Sequence, residues 1–127
     1  MVNEMKENIV KIKSFAFAVR VVKLYQFLCE QKKEFILSKQ LLRSGTSVGA
    51  MVREAEHAET KNDFKHKMGI AQKEINETIY WLELLKETDY LTTEQFGSIN
   101  TGAVEIIKLI TAILKSAKAN INSGNNG

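Results

Sequence analysis

The 127-residue chain has no proline, only seven glycines and a single cysteine. Without proline, long helices can run uninterrupted, and the shortage of turn residues excludes β-sandwiches and small barrels. The single cysteine, Cys29, excludes an intrachain disulfide and a multi-cysteine metal site. The longest apolar run is Phe15–Val19, too short for a membrane span, and the polar N-terminus is unlike a secretory signal. We therefore expect a cytoplasmic protein with no membrane contact.

The composition is that of one folded globular domain. Apolar residues make up 44% of the chain and charged residues 26%, which is unlike disordered or membrane sequences. Eighteen basic and 15 acidic side chains leave a net charge of +3. This mildly basic balance permits a nucleic-acid or acidic partner without requiring one.

Four stretches carry apolar residues in steps of three and four, the pattern of helices in a left-handed bundle. The four seams run through Phe15, Ala18, Val22, Tyr25 and Cys29; from Leu37 to Ala58; from Phe64 to Leu85; and from Phe96 to Ala117. The polar run at 30–34, a cap at Thr60 or Asn62, and the capping-box spacing of Thr92 and Gln95 separate them. Short links favour antiparallel neighbours. The sequence predicts an all-α, antiparallel up-down-up-down four-helix bundle over residues 1–119, with a flexible tail over 120–127.

The first and fourth helices carry more apolar surface than one core needs. A second line beside the main seam comprises Phe17, Val21, Leu24 and Leu28 in the first helix and Val104, Ile107 and Leu114 in the fourth. Large exposed apolar patches are rare in monomers. One interpretation is that sister copies cover these residues in a homo-oligomer. The alternative is a wide seam buried within the chain's own bundle.

Two glycines, Gly45 and Gly49, interrupt the second helix. Each costs about 1 kcal/mol relative to alanine inside a helix. Their i, i+4 spacing puts them on one face, where another backbone could approach closely. The alternatives are a local bend supported by Ser44 and Ser47, or no role. The spacing does not match a phosphate-binding loop.

An antiparallel pairing with a turn near residue 61 brings polar residues of the second and third helices together. It places Ser44 near Thr78 and Arg43 within one turn of Glu77. The sequence thus predicts a structural polar network of Arg43, Ser44, Ser47, Glu74 and Glu77. The alternative is that Arg43 faces a ligand or an RNA phosphate.

We expect no catalytic, metal or cofactor site. Glu54 and His57 have the Glu-x-x-His spacing of di-iron bundles, but such a site needs two pairs, and Glu74 lies about 9 Å further along the axis. Ser44 and Ser47 have no histidine at the same level of the bundle, and Cys29 is predicted to pack as a small hydrophobe. A metal-dependent oxidase remains the weakest of three hypotheses.

Basic side chains are the remaining functional candidates. Residues 1–33 carry seven basic and three acidic side chains, and a second basic cluster opens the third helix. The candidate nucleic-acid contacts are Arg20, Lys23, Arg43, Arg53, Lys61, Lys65 and Lys67. Phosphate contacts of this kind weaken steeply with salt. The alternative is a solvated face with ordinary helix ion pairs such as Asp63–Lys67.

The segment 37–55, LSKQLLRSGTSVGAMVREA, resembles the signature of the four-helix-bundle family named after 23S rRNA intervening sequences. The second half of the signature follows in register at Asp63–Phe64, Ile70–Glu74, Glu77 and Tyr80–Leu82. The resemblance covers roughly residues 10 to 117.

The resemblance implies a short bacterial protein with no attributed enzymatic activity. Related accessory proteins of diversity-generating retroelements form five-fold rings and bind nucleic acid through basic surface. We therefore expect a homo-oligomer, specifically a pentamer, that binds RNA or DNA. A structural or protein-interaction module with a protein partner and no nucleic-acid binding is the alternative.

Overall fold

The computed structural model describes residues 2–126 and the side chains of residues 4–117. Its four helices are α1 (Val2–Lys32), α2 (Leu37–Glu56), α3 (Lys61–Glu87) and α4 (Thr93–Asn126), and the described residues form no strand. The predicted all-α four-helix fold is confirmed. Flexibility of residues 120–127 stays a prediction, because their side chains, and all of Gly127, lie outside the described part.

Contacts between neighbouring helices occur in reverse order along the chain. In α1 and α2, Ser14 lies against Gly49, and the later Val21 lies against the earlier Gly45. The other three pairs of neighbouring helices show the same reversal. The contacts are Lys67–Glu54 and Thr78–Ser44 between α3 and α2, Gln72–Thr111 and Lys86–Phe96 between α3 and α4, and Lys13–Glu105 and Arg20–Ser98 between α1 and α4. Neighbours are therefore antiparallel, and the topology is up-down-up-down. Because α1 and α3 each pack against α2 and α4, they occupy opposite corners.

Each helix contributes one buried stripe to a single core. Among the fully buried side chains are Leu28, Leu41, Met68, Leu82 and Ile106. Over Thr93–Ala117, α4 is also long and apolar enough to cross a membrane by length and composition. In the bundle this segment buries Ile99, Ala103, Ile106, Ile110 and Ile113 against the other helices.

The predicted caps begin α3 and α4. The Thr60 hydroxyl accepts a hydrogen bond from the backbone N–H of Asp63 at 2.9 Å, so the cap is Thr60 rather than Asn62. Thr92 Oγ1 accepts from the Gln95 N–H at 3.1 Å, while Gln95 Oε1 accepts from the Thr92 N–H at 2.9 Å. These reciprocal bonds satisfy two free donors of the first turn and confirm the capping box.

The link between α1 and α2 is held by a carboxylate that the sequence did not single out. After α1, Lys33 adopts a left-handed φ of 54°, the conformation that commonly ends a helix. The Glu34 carboxylate then accepts hydrogen bonds from the N–H groups of Ile36, Leu37 and Ser38 at 3.1, 2.8 and 2.7 Å. The break lies at residues 33–36 rather than at the predicted 30–34, because α1 continues to Lys32, and Glu34 within it caps the first turn of α2.

Gly45 and Gly49 lie where α2 packs closely on α1. A Cβ at Gly45 would lie 2.8 Å from both γ-methyls of Val21, and one at Gly49 would lie 3.3 Å from the carbonyl oxygen of Ser14. The helix continues through both positions. Of the three interpretations of these glycines, close backbone approach is confirmed at Gly49, whereas at Gly45 the close neighbour is the side chain of Val21.

Candidate interaction surfaces

The polar cluster predicted between α2 and α3 forms around Arg43. Its guanidinium donates to the carboxylates of Glu74, at 3.2 Å, and Glu77. Glu77 also accepts a hydrogen bond from the indole Nε1–H of Trp81 at 3.0 Å. Sequence analysis missed Trp81, although its i, i+4 spacing from Glu77 allows such a contact on a helix.

Beneath this ion cluster, two hydroxyls meet in the core. Thr78 Oγ1 lies 3.0 Å from Ser44 Oγ and donates to the Glu74 carbonyl at 2.7 Å, and both hydroxyl side chains are fully buried. The contact confirms the predicted register of α2 and α3. Ser47 instead donates to the backbone carbonyl of Arg43 at 2.6 Å, which corrects its predicted place in the side-chain network.

The ion cluster is a surface feature rather than a buried one. The side chains of Arg43 and Glu77 are 50% and 37% exposed. The hydrogen bond from Trp81 lowers the pKa of Glu77, as does Arg43, although partial burial acts in the opposite direction. Burial acts to lower the pKa of Arg43, but its bonds to Glu77 and Glu74 outweigh this and raise it. Any anionic ligand at Arg43 would have to compete with two carboxylates.

We expect Arg43→Met to reduce the free energy of unfolding by about 1 kcal/mol or less, because half-exposed ion pairs contribute little. Urea denaturation at pH 7 measures the change, with Lys39→Met on the same helix as the control. Glu77 has a lowered folded pKa, so its contribution is present above about pH 4.5 and is lost as the pH falls through the folded value. A loss of about 3 kcal/mol, as for a buried pair, would contradict this description.

On α1, the structure exchanges the roles of the two apolar lines. Phe17, Val21 and Leu28 are at most 3% exposed, and Leu24 is half-buried against the core. The core therefore takes up the residues predicted for the oligomer interface. The outward face, here called the outer stripe, consists of Met5, Ile9, Ile12, Phe15, Val19 and Val22, which are 37% to 70% exposed. Phe15 and Val22 were predicted to lie in the core seam.

The candidates on α4 are half-buried within the chain's own bundle. Ile107 and Leu114 pack against the core, which the wide-seam alternative predicted for this helix. Val104 is also half-buried and stays an untested interface candidate. The large exposed apolar surface therefore lies on α1 rather than on α4.

Four of the seven residues predicted to contact nucleic acid already contact other side chains or backbone groups of this chain. Arg43 pairs with the carboxylates of Glu74 and Glu77, and Lys67 pairs with that of Glu54. Arg20 donates to the carbonyl and the hydroxyl of Ser98. Arg53 lies 5.1 Å from the centre of the Phe15 ring. Lys67 thus pairs with Glu54 rather than with the predicted Asp63. Within the described part of the chain, Lys23, Lys61 and Lys65 are exposed and have no carboxylate partner.

A cleft of about 480 Å³ opens where the start of α1 meets the α2–α3 turn. Its apolar wall includes Val10, Val52, Phe64 and Met68, and its rim includes Glu4, Glu7 and Lys61. Burial raises the pKa of Glu7, and the neighbouring Glu4 adds to the effect. Among the described residues that line the cleft there is no histidine, cysteine or serine.

Among the residues whose side chains are described, no group of three or more His, Cys, Asp or Glu could hold a metal ion. Glu54, the acid of the Glu-x-x-His spacing, pairs with Lys67 at 3.1 Å. Cys29 is half-buried, with its sulfur 3.8 Å from the Ser38 hydroxyl oxygen. Nothing in these contacts supports the metal-oxidase hypothesis.

Comparison with known proteins agrees with the fold. Residues 6–112 match the family model described as 23S rRNA-intervening sequence protein. A solved structure, a protein of unknown function from the S23 ribosomal protein family of Bacteroides thetaiotaomicron VPI-5482, is 58% identical with a TM-score of 0.86. That match covers 87% of this chain and 98% of the other. No curated protein matches this chain. The chain belongs to the 23S rRNA-intervening sequence protein family.

Proposed function

We propose that this protein is a non-enzymatic bundle that assembles with copies of itself through the outer stripe of α1. The observation that carries the proposal is the exposure of six large apolar side chains along one helix face. From Met5 to Val22 the stripe is about 26 Å long at 1.5 Å per residue. A continuous apolar surface of this length is costly to leave in water.

The surroundings of the outer stripe support a specific interface. Toward α2 it is bordered by the Lys11–Glu56 pair, with nitrogen and oxygen 2.9 Å apart, and toward α4 by Lys13–Glu105 at 2.7 Å. An apolar centre with a polar rim is the usual anatomy of a protein–protein interface. The resemblance to ring-forming relatives favours five copies as the assembly order.

Light scattering coupled to size exclusion tests this assembly. We expect the wild-type protein to elute as a multiple, specifically five times, of its 14.4-kDa chain mass. Ile12→Gln with Phe15→Gln should give the single-chain mass with an unchanged helical circular dichroism spectrum.

The control is the double variant Phe35→Gln with Ile36→Gln. It removes the same two residue types outside the outer stripe. Their exposure is comparable, because Phe35 is 57% exposed against 55% for Phe15, and Ile36 is 77% exposed against 70% for Ile12. This control should keep the wild-type mass. A wild-type protein that remains a single folded chain at every concentration would refute the proposal.

Nucleic-acid binding is the second proposed function, and it rests on the exposed lysines that have no carboxylate partner. Assembly would concentrate them: five copies of a chain with charge +3 carry +15. Fluorescence anisotropy with labelled RNA and DNA should show binding that weakens as salt rises. No binding at about 50 mM salt would leave the protein-interaction module, which uses the outer stripe alone, as the function.

A further inference from the structure

The exposed face of α3, at the corner of the bundle opposite α1, has a gap between two lysines. Lys65, Gly69 and Lys73 follow one another at i, i+4 and i+8, so they share this face. A Cβ built on Gly69 meets no atom within 4 Å. A shallow groove passes over the glycine and is lined by both lysines and by His66. An extended anion could therefore approach the α3 backbone between the two ammonium groups.

A second pair of lysines extends this cationic surface onto α4. Gln72 Nε2 donates to Thr111 Oγ1 at 3.0 Å, which fixes the two helices side by side at this level. Lys108 and Lys115 lie three residues before and four residues after Thr111 and are exposed. Lys65, Lys73, Lys108 and Lys115 form what is here called the α3–α4 face. In the described part of the chain, none of the four has a carboxylate within 4.0 Å.

Charge is unevenly distributed along α3. Lys61, Lys65 and Lys67 outnumber Asp63 in the first two turns. In the last two turns, Glu83 and Glu87 outnumber Lys86. The acidic end limits the cationic region to the first half of α3.

We infer that the α3–α4 face binds the phosphodiester backbone of a nucleic acid. Lys65 and Lys73 stand about 12 Å apart along the axis, with the bare Gly69 backbone between them. Lys108 and Lys115 provide two further cations on the adjacent helix. Contacts to phosphates alone position a strand without reading its sequence. The inference rests on the proposed nucleic-acid binding. It keeps one predicted contact, Lys65, and adds three lysines that were not predicted, whereas the three predicted arginines of α1 and α2 are engaged within the protein.

Substitutions at Gly69 provide a sharp test. Gly69→Glu places a carboxylate between Lys65 and Lys73, with which it can pair at i−4 and i+4 without disturbing the helix. Gly69→Ala adds a side chain at the same position without a charge. In fluorescence anisotropy at about 0.1 M salt, we expect Gly69→Glu to weaken binding of a labelled single-stranded RNA by roughly tenfold. Gly69→Ala should bind within about twofold of the wild type.

A second comparison removes the same charge from two places. Lys65→Gln with Lys73→Gln should lower affinity and reduce the slope of log K against log salt by about 1.4, the value for two contacts on a single strand. Lys32→Gln with Lys39→Gln removes two exposed lysines that lie outside the face and outside the predicted contacts, and it should leave the slope nearly unchanged. Light scattering on each variant checks that assembly is intact. Parallel measurements with DNA identify which nucleic acid is preferred.

The possible outcomes separate this inference from the proposed function. If the wild type binds no nucleic acid at about 50 mM salt, nucleic-acid binding fails and the inference fails with it. If the wild type binds, but Gly69→Glu and the Lys65/Lys73 variant bind equally well, the proposed function stands and the α3–α4 face is refuted. A larger loss in the Lys32/Lys39 variant than in the Lys65/Lys73 variant would also refute it.

Discussion

Gly45→Ala is expected to destabilise the bundle, although alanine is the better helix former. The new methyl would lie 2.8 Å from both Cγ atoms of Val21, which is fully buried. A valine in a helix has one strongly preferred rotamer, so Val21 cannot swing away. Overpacking of this kind costs about 1–3 kcal/mol, which exceeds the gain of about 1 kcal/mol in helix propensity. Chemical denaturation followed by circular dichroism measures the loss.

Gly69→Ala is the matched control for this substitution. Both glycines lie inside a helix, but a Cβ at Gly69 meets nothing within 4 Å. Here the propensity gain stands alone, and we expect stabilisation by about 0.5–1 kcal/mol. Because the propensity gain is common to both variants, they should differ by the overpacking cost alone, about 1–3 kcal/mol. If Gly45→Ala is as stable as Gly69→Ala, the close approach of α1 and α2 is refuted.

A double variant identifies the atom responsible. Val21→Ala removes the methyls that the new Cβ would meet, although it leaves a cavity of its own. In that background, Gly45→Ala should cost little or should stabilise the protein, so the two changes should couple favourably by about 1 kcal/mol or more. Simple additivity would show that the loss in Gly45→Ala has another cause.

The features that local chemistry determines were accessible from the sequence. The Thr92–Gln95 capping box follows from spacing alone, because the two residues satisfy each other's backbone donors. The Ser44–Thr78 contact follows from the short turn between α2 and α3, because a short turn fixes both direction and register. The glycine pair on one face of α2 likewise indicated a close neighbour.

The face that α1 buries could not be derived in this way. Its two apolar lines are similar in length and size, and charged residues border both, so the periodicity is ambiguous. The structure selects the line through Val21 because Ser14 and Val21 fit against the two glycines of α2. That choice depends on packing between residues far apart in sequence. It leaves residues such as Ile12 and Phe15 exposed, on the surface that we propose for assembly.

The role of Glu34 was also hidden in the sequence. It lies in a polar run that indicated only a chain break, and glutamate is an uncommon cap. The side chain folds back because the left-handed Lys33 turns the chain toward the start of α2. Glu34 is only 8% exposed, so its charge is compensated by three backbone donors and the helix N-terminus rather than by water.

We expect Glu34→Ala to lower the free energy of unfolding by about 2–3 kcal/mol, because three N–H donors lose a charged acceptor. For a chain of this length that is a fall of roughly 10 °C in Tm. Glu34→Gln keeps an acceptor oxygen and should cost less. Glu30→Ala is the control: Glu30 lies in the same polar run but is exposed on the last turn of α1, and its loss should change stability by no more than about 0.5 kcal/mol.

The pH dependence of the Glu34→Gln variant isolates the charge. Burial acts to raise the pKa of Glu34, but hydrogen bonds from the N–H groups of Leu37, Ser38 and Ile36 outweigh it and hold the pKa below its usual 4.5. A carboxylate with a lowered folded pKa stabilises the protein above its unfolded pKa, and this contribution disappears as the pH falls through the folded value. The difference in stability between wild type and Glu34→Gln should therefore be constant near neutral pH and should close below about pH 4.5. If the difference in stability between wild type and Glu34→Gln persists unchanged in acid, the substitution destabilises the protein through altered shape or hydrogen bonding rather than through the lost charge.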